Sequence, residues 1–241
     1  VKPIAFTDKN TAIPPHTAKA EKKFCIVLSN AAQIPENLSN VENLFFPLNV
    51  EEKYVESVKN KGISIGIDIP RALFGVENKV RSQLERVKKL GIKSVGVGGD
   101  GGQVDVKSIT LSPELTLAQI EKIGGAAPQG IVAYGRLPLM LVRNCPVKNA
   151  KTCAECKGKG FLTDRMGFRF PVLCRGYFQE ILNSKVIYLG DRTDEIKNVD
   201  FLTFLFTREK RETVDAVLDA YRKGRGVKGE FTRGLYYRGV E

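Results

Sequence analysis

Histidine is almost missing from this chain: His16 is the single one among 241 residues. That scarcity narrows the chemistry. A serine or cysteine protease generally draws on a base beside its nucleophile, most often histidine, and His16 falls in an irregular opening segment broken by Pro3, Pro14 and Pro15. The H-E-x-x-H zinc helix needs two histidines and is absent. Long apolar runs are missing too, since no stretch reaches the roughly 18 residues of a membrane helix. Nothing resembles a secretion signal, so the chain reads as cytoplasmic, with no membrane partner. It opens on Val1 rather than Met and reads as a piece of a longer protein, whose remainder would be its first partner. The glycine run around Gly98, Gly99, Gly101 and Gly102 lacks the lysine and serine of a phosphate loop, and no helix follows it directly.

Cysteine is also scarce, yet concentrated. Of five in all, four fall at Cys145, Cys153, Cys156 and Cys174, spaced C-x7-C-x2-C-x17-C. A C-x2-C pair lets two thiolates converge on one metal or cluster while the intervening amides remain free to bond the sulfurs. Three outcomes are open for the four: two disulfides, a structural zinc, or an iron–sulfur cluster. Disulfides fit a secreted protein, and a chain of this length builds a core without them. Four thiolates satisfy zinc completely, and Cys153-Ala-Glu-Cys156-Lys-Gly-Lys-Gly resembles the glycine-rich zinc knuckle of certain chaperones, where it recurs as a set. Spacing alone does not separate zinc from iron–sulfur. Cys25, far from the others within the apolar run 24–28, reads as a small packing residue.

The formal net charge is +11. From residue 136 onward 21 Lys and Arg face 13 Asp and Glu, against 17 facing 14 before it, so the basic excess travels with the cysteines. A basic face beside a reactive centre suits a polyanion such as RNA; a merely solubilising surface is the plainer alternative. Arg136, Arg143, Arg165, Arg169 and Arg175 flank the cysteines, where cations lower thiol pKa values or simply cap loops. The end of the chain interleaves Arg222, Lys223, Arg225, Lys228, Arg233 and Arg238 with Phe231, Tyr236 and Tyr237. Cations neutralise phosphates and aromatic faces stack on unpaired bases, although Leu235, Tyr236 and Tyr237 could equally anchor the chain end. Asp164 and Glu180 are a conceivable carboxylate pair, with Asp164-Arg165 more naturally a cap or ion pair.

Apolar periodicity predicts alternating elements: strands near 24–28, 44–46, 63–69 and 94–98, with helices over 51–61 and 76–90 between them. This alternation is the signature of a parallel α/β layer. It stumbles at 98–106, beyond which a strand at 107–111 follows with no intervening helix, so these two strands are either not neighbours or lack material between them. Ser112 reads as the cap of a helix running to about 123. Strands follow at 130–135, 137–142, 186–189 and 201–206, then a helix over 208–221 capped by Thr207, and a basic aromatic tail without regular structure.

The stretches Tyr134-Gly135-Arg136-Leu137-Pro138-Leu139-Met140, Asn144-Cys145-Pro146, Leu162-Thr163-Asp164-Arg165 and Phe170-Pro171-Val172 resemble peptidase family U32, the collagenase-like protease family. Ile69-Pro70-Arg71-Ala72-Leu73-Phe74-Gly75, Thr110-Leu111-Ser112-Pro113-Glu114-Leu115, Ile181-Leu182-Asn183-Ser184 and the ending Phe231-Thr232-Arg233-Gly234-Leu235-Tyr236-Tyr237-Arg238-Gly239 agree with it. The likeness is to the C-terminal half of the long multidomain bacterial members. It implies a TIM-barrel-like domain followed by a cysteine-bearing segment, with Cys145, Cys153, Cys156 and Cys174 as ligands of an iron–sulfur cluster, 4Fe–4S in type, zinc being the alternative. Several members support oxygen-independent hydroxylation of bases in transfer or ribosomal RNA, or of a quinone precursor. The family's usual strand, helix and strand are missing around 98–106, and a full barrel takes about 250 residues. The expected fold is therefore α/β: a lead-in over 1–22, a partial TIM-barrel-like parallel β/α domain over 23–135, and a cysteine-cluster and basic C-terminal region, a smaller α/β unit, over 136–241. The expected function is an RNA-modifying hydroxylation system. A peptidase is the alternative that the family name implies, and a non-catalytic metal-binding interaction domain is a third.

Overall fold

Strands that are buried on both faces read as unbroken apolar runs, and Lys23–Leu28 and Phe201–Phe206 are two of these lying side by side. The computed structural model describes residues 15–18, 21–92, 94–96, 107–176, 178–227 and 229–238. The first half comprises β1 (Lys23–Leu28), β2 (Val41–Pro47), α1 (Glu52–Lys59), β3 (Ser64–Asp68), α2 (Glu77–Lys89), β4 (Ser94–Gly96), β5 (Ile109–Thr110) and α3 (Leu117–Ile120). The second comprises β6 (Gln129–Gly135), β7 (Pro138–Val142), α4 (Cys153–Cys156), β8 (Phe161–Thr163), β9 (Arg169–Cys174), β10 (Gln179–Leu182), β11 (Val186–Tyr188), β12 (Phe201–Phe206), α5 (Arg211–Arg222) and β13 (Phe231–Thr232).

Two sheets result. The larger runs β13-β11-β6-β12-β1-β2-β3-β4, with β5 also paired to the start of β6. From β5 and β6 through β12 to β4 every pairing is parallel, and only β11 runs antiparallel to its neighbour β6. The smaller sheet is antiparallel throughout, in the order β7-β10-β9-β8. This corrects the expected partial barrel: among the described residues β4 and β5 do not pair, so nothing closes the sheet on itself. The fold is a mixed α/β layer with a mostly parallel open sheet and a separate antiparallel one. The stumble at 98–106 has its counterpart here, since the strands on either side of it are not neighbours; residues 97–106 lie outside the described residues. β12, from the far end of the chain, fills the position between β6 and β1. No helix among the described residues is long and apolar enough to cross a membrane.

Two helix starts differ from the reading by composition. Thr116, not Ser112, caps α3, because its side chain accepts from the Gln119 amide while Gln119 reaches back in a capping box. α5 begins at Arg211, and Glu209 accepts from the Thr207 and Arg208 amides ahead of it. The three strands β8, β9 and β10 carry no clean alternation, which is why periodicity misses them.

The core forms between the parallel sheet and its helices. α5 buries Val214, Val217, Leu218 and Tyr221. Phe204 of β12 is fully buried, with its ring centroid 4.8 Å from both Phe24 and Tyr221. Tyr221 donates its hydroxyl to the Ala133 carbonyl and accepts from the Leu189 amide at 2.7 Å, joining α5 to β6 and β11. At the end of β6, Gly135 has φ +131°, and a Cβ there would stand 2.5 Å from the Leu205 carbonyl oxygen, so only glycine lets β6 and β12 approach. At the opposite, amino-terminal end of these strands, His16 is nearly enclosed. One ring nitrogen lies 2.8 Å from Asp200 Oδ2 and the other 3.1 Å from the Gly125 carbonyl, while the same Asp200 oxygen accepts from the Gln129 amide at 2.8 Å. The lone histidine thus docks residues 15–18 onto the sheet. Truncating Phe204 to alanine empties the point where β1, β12 and α5 meet and is expected to cost about 3–5 kcal/mol, measured as a lower urea midpoint with an unchanged m-value.

Candidate functional site

Parallel strands deliver their carboxyl ends to one edge of a sheet, and in open α/β layers ligands bind outside that edge. Here the edge is roofed. A cleft of about 570 Å³ opens between the ends of β1, β2, β3, β6 and β12 on one side and the antiparallel sheet on the other, with α2 at its flank. Ser29, Asn49, Asp68, Arg136 and Thr207 come from the strand ends, Arg71 from the turn after β3 and Lys79 from α2. Leu173, Cys174, Arg175, Phe178, Glu180 and Leu182 come from the antiparallel wall. Among the described residues, four cationic side chains therefore line the cleft against two carboxylates.

The charges are organised by Arg175. Leaving the end of β9, it donates from Nε to Glu180 at 2.9 Å and from Nη1 to Ser29 Oγ at 3.2 Å, so one guanidinium ties the antiparallel wall to the end of β1. Glu180 is 4% exposed, and this pair is what makes a buried carboxylate tenable. Arg136 is held by the carbonyls of Asn183 and Ser184. Asp68 sits half-buried where β3 meets Ile69-Pro70. Burial pushes its carboxyl up to about 6; Arg175 and Arg71 pull it down and Glu180 adds to the rise. Asp164, by contrast, does not face Glu180 as a catalytic partner: its Oδ1 accepts from the amides of Met166 and Phe168, both at 2.9 Å, and it caps the β8–β9 turn.

The cysteine segment hangs from the same antiparallel sheet. Cys145 is half-buried in the turn after β7, and Cys153 and Cys156 are the first and last residues of the one-turn α4. Thr152 and Glu155 hold that turn by a capping box, and the hydrogen bonds from Thr152 draw the Glu155 carboxyl below its ordinary range. Cys174 ends β9, exposed, and lines the cleft. All four thiols are free. Among the described residues, no three His, Cys, Asp or Glu side chains stand together as metal ligands, so the fold brings the four onto one small sheet but does not draw them to one point. In donor chemistry the set suits zinc or an iron–sulfur cluster, both of which take thiolates. Two further features suit a thiolate centre at Cys156. A Cβ at Gly160 would lie 3.0 Å from its Sγ, so glycine leaves the sulfur room. Arg208 also binds the Gly160 and Val172 carbonyls through Nη2, at 2.8 and 3.1 Å, and its Nε is buried without a hydrogen-bond partner in the structure described. Burial lowers the pKa of this guanidinium, and the Cys156 sulfur opposes that shift. Cys25 is apart from all this, buried in β1 with its thiol pushed up to about 12 by that burial.

The tail residues are drawn into the fold. Arg222 bonds the Asn37 and Ser39 carbonyls, Lys223 pairs with Asp219 at 2.6 Å, and Arg233 forms a two-pronged pair with Asp191 at 2.6 and 2.8 Å. Tyr236 is buried and donates to the Val132 carbonyl at 2.9 Å; Tyr237 is exposed and bonds Glu195 at 2.7 Å. Arg225 and Arg238 are exposed, and Lys228 lies outside the described residues. None of the tail side chains described lines the cleft.

The raised carboxyl has a stability consequence with a definite sign. Asp68 ionises near pH 4 unfolded and near 6 folded, so ionising it costs the native state more than the unfolded one. Stability falls as pH rises through that window. Asp68→Asn removes the loss: urea denaturation is expected to show the variant about 1–2 kcal/mol more stable than wild type near pH 8, with the gap closing below pH 4. Against protein-family models, curated proteins and solved structures the chain shows no match.

Proposed function

We propose that this chain is a U32-type protein that carries an iron–sulfur cluster on Cys145, Cys153, Cys156 and Cys174 and takes part in oxygen-independent hydroxylation of an RNA base. The observation that carries the reading is the cleft itself: Arg71, Lys79, Arg136 and Arg175 line it, and Cys174 stands in the same wall. A phosphate-bearing polymer is drawn to such a lining by charge neutralisation, and the exposed Arg225 and Arg238 extend the basic surface beyond it. A cluster held by these thiolates supplies one-electron chemistry when bound. The chain's own residues do the rest. Arg175 and Arg136, fixed by their protein partners, orient an anionic group; Asp68, whose carboxyl is pushed up to about 6, holds or releases a proton beside it. Phe178 and Leu182 give the wall an apolar strip suited to a base.

The peptidase alternative gains no comparable support. Ser29 and Thr207 offer hydroxyls to the cleft, but Ser29 is bound by Arg175 and His16 is at the opposite end of the strands, engaged with Asp200.

Two measurements test the proposal. Anaerobically purified protein is expected to contain about four iron and four sulfide per chain, and serine at Cys153 or Cys156 should remove most of both. Zinc in their place would move the site to the structural alternative, and metal-free protein with all four thiols freely alkylated would end the proposal. Nucleoside mass spectrometry of RNA from cells with and without the gene should then show one hydroxylated base lost; an unchanged profile rules out the RNA role.

A further inference from the structure

The cleft carries a property that needs neither the cluster nor RNA. Among its described cations, Arg175 is held by Glu180 and Ser29, and Arg136 by the Asn183 and Ser184 carbonyls. Arg71 and Lys79 reach in from exposed positions after β3 and on α2. Fixed guanidinium groups suit an oxyanion, because their planar forks meet two oxygens at once and little freedom is lost on binding. The volume, about 570 Å³, is that of a small-ligand site. Of the two carboxylates, Glu180 is already matched by Arg175. Asp68 shares no such contact, and its charge is opposed by burial and by Glu180 while Arg175 and Arg71 favour it. Among the described residues, the Cys174 thiol is the remaining titratable group of the lining.

We infer that the cleft is an oxyanion-binding site, formed by Arg71, Lys79, Arg136 and Arg175, whose affinity is set by the proton on Asp68. Ionising Asp68 adds one negative charge to the described lining of Arg71, Lys79, Arg136, Arg175 and Glu180, and that added charge repels the ligand. The ligand is a phosphate- or sulfate-like group, free or esterified in a nucleotide. The binding is a proton-linked equilibrium with no bond made or broken.

Sulfate is the probe, because its charge does not change across the window in which Asp68 titrates. Calorimetric titration should find sulfate bound on the order of tenfold more weakly near pH 8 than near pH 5. Asp68→Asn should bind at both pH values as the wild type does near pH 5. By reciprocity, saturating sulfate should raise the Asp68 midpoint, followed by carboxyl carbon NMR on the wild-type protein, by about one pH unit. That shift decides the matter even if the variant does not fold. Displacement of sulfate by a short single-stranded RNA assigns the site to a phosphodiester, and failure to displace it assigns a free oxyanion; either keeps the site. Wild-type affinity that is flat with pH, a slope that persists in Asp68→Asn, or a midpoint unmoved by sulfate overturns the inference. Loss of the RNA role alone, with sulfate binding intact, would leave it standing.

Discussion

Arg175 reaches from the end of β9 to Glu180 on β10 and to Ser29 at the end of β1, and the geometry of the cleft follows from that reach. Glu180 lies in a strand whose four residues are all buried. A carboxylate there is costly to desolvate and is retained only with a close cation. The guanidinium that satisfies it spans the two sheets, which the chain also joins between β6 and β7 and between β10 and β11. The Glu180 pair and the Ser29 bond add a side-chain tie between the walls and shape the electrostatics there. Asp68 is the residue left over. With Arg175 committed to Glu180, the second carboxylate sees the same cation at longer range, and burial outweighs that attraction. Of the two acidic groups in the cavity, Asp68 is the one whose carboxyl burial pushes up, to about 6.

The cysteine segment follows a different logic. The antiparallel sheet is buried where it forms the wall, at β10 and the middle of β9, and half-buried or exposed where the thiols are. Cys145 is in a turn, Cys153 and Cys156 are in a single helical turn with no buried residue, and Cys174 is at a strand end. Metal binding supplies ordering energy to short cysteine loops of this kind. Val147, Gly160 and Arg208 form the fixed background: Val147 packs against Gly160, and Arg208 gathers the Gly160 and Val172 carbonyls.

Much of the parallel sheet is legible in the sequence because each of its strands is apolar enough to be recognised alone. The runs at 24–28, 130–135 and 201–206 become β1, β6 and β12, and the helix expected over 76–90 becomes α2, which buries Val80 and Val87. Which strands pair is not legible. That β12 inserts between β6 and β1 depends on contacts such as Phe204 with Phe24, and on Gly135 admitting Leu205, neither of which leaves a periodic trace. The barrel expectation failed for this reason: alternation of strand and helix specifies a parallel layer but not its closure. At the site, Arg136 and Arg175 stand out in the sequence only as neighbours of cysteines. Asp68 and Arg71 have one sequence signal, an alternating strand stopped by Pro70, which marks the carboxyl end of a parallel strand and hence a position over the cleft.

The distribution of charge changes meaning once the contacts are known. Counted along the chain, the basic surplus points to the tail. In the fold, Arg222 and Arg233 tie loops and carbonyls together, Lys223 answers Asp219 on the same helix, and Tyr236 is an anchor under β6. Cations used this way contribute to the chain end's attachment and little to its external field, because each is neutralised or directed inward. Those of the cleft differ in kind: among the described residues four cations face two carboxylates, one of which sheds its charge as pH falls through about 6, and the field of such a lining is focused by the cleft walls. Surplus counted over sequence and potential available to a ligand are thus separate quantities, and here it is the smaller set of cations that faces the space a ligand can enter.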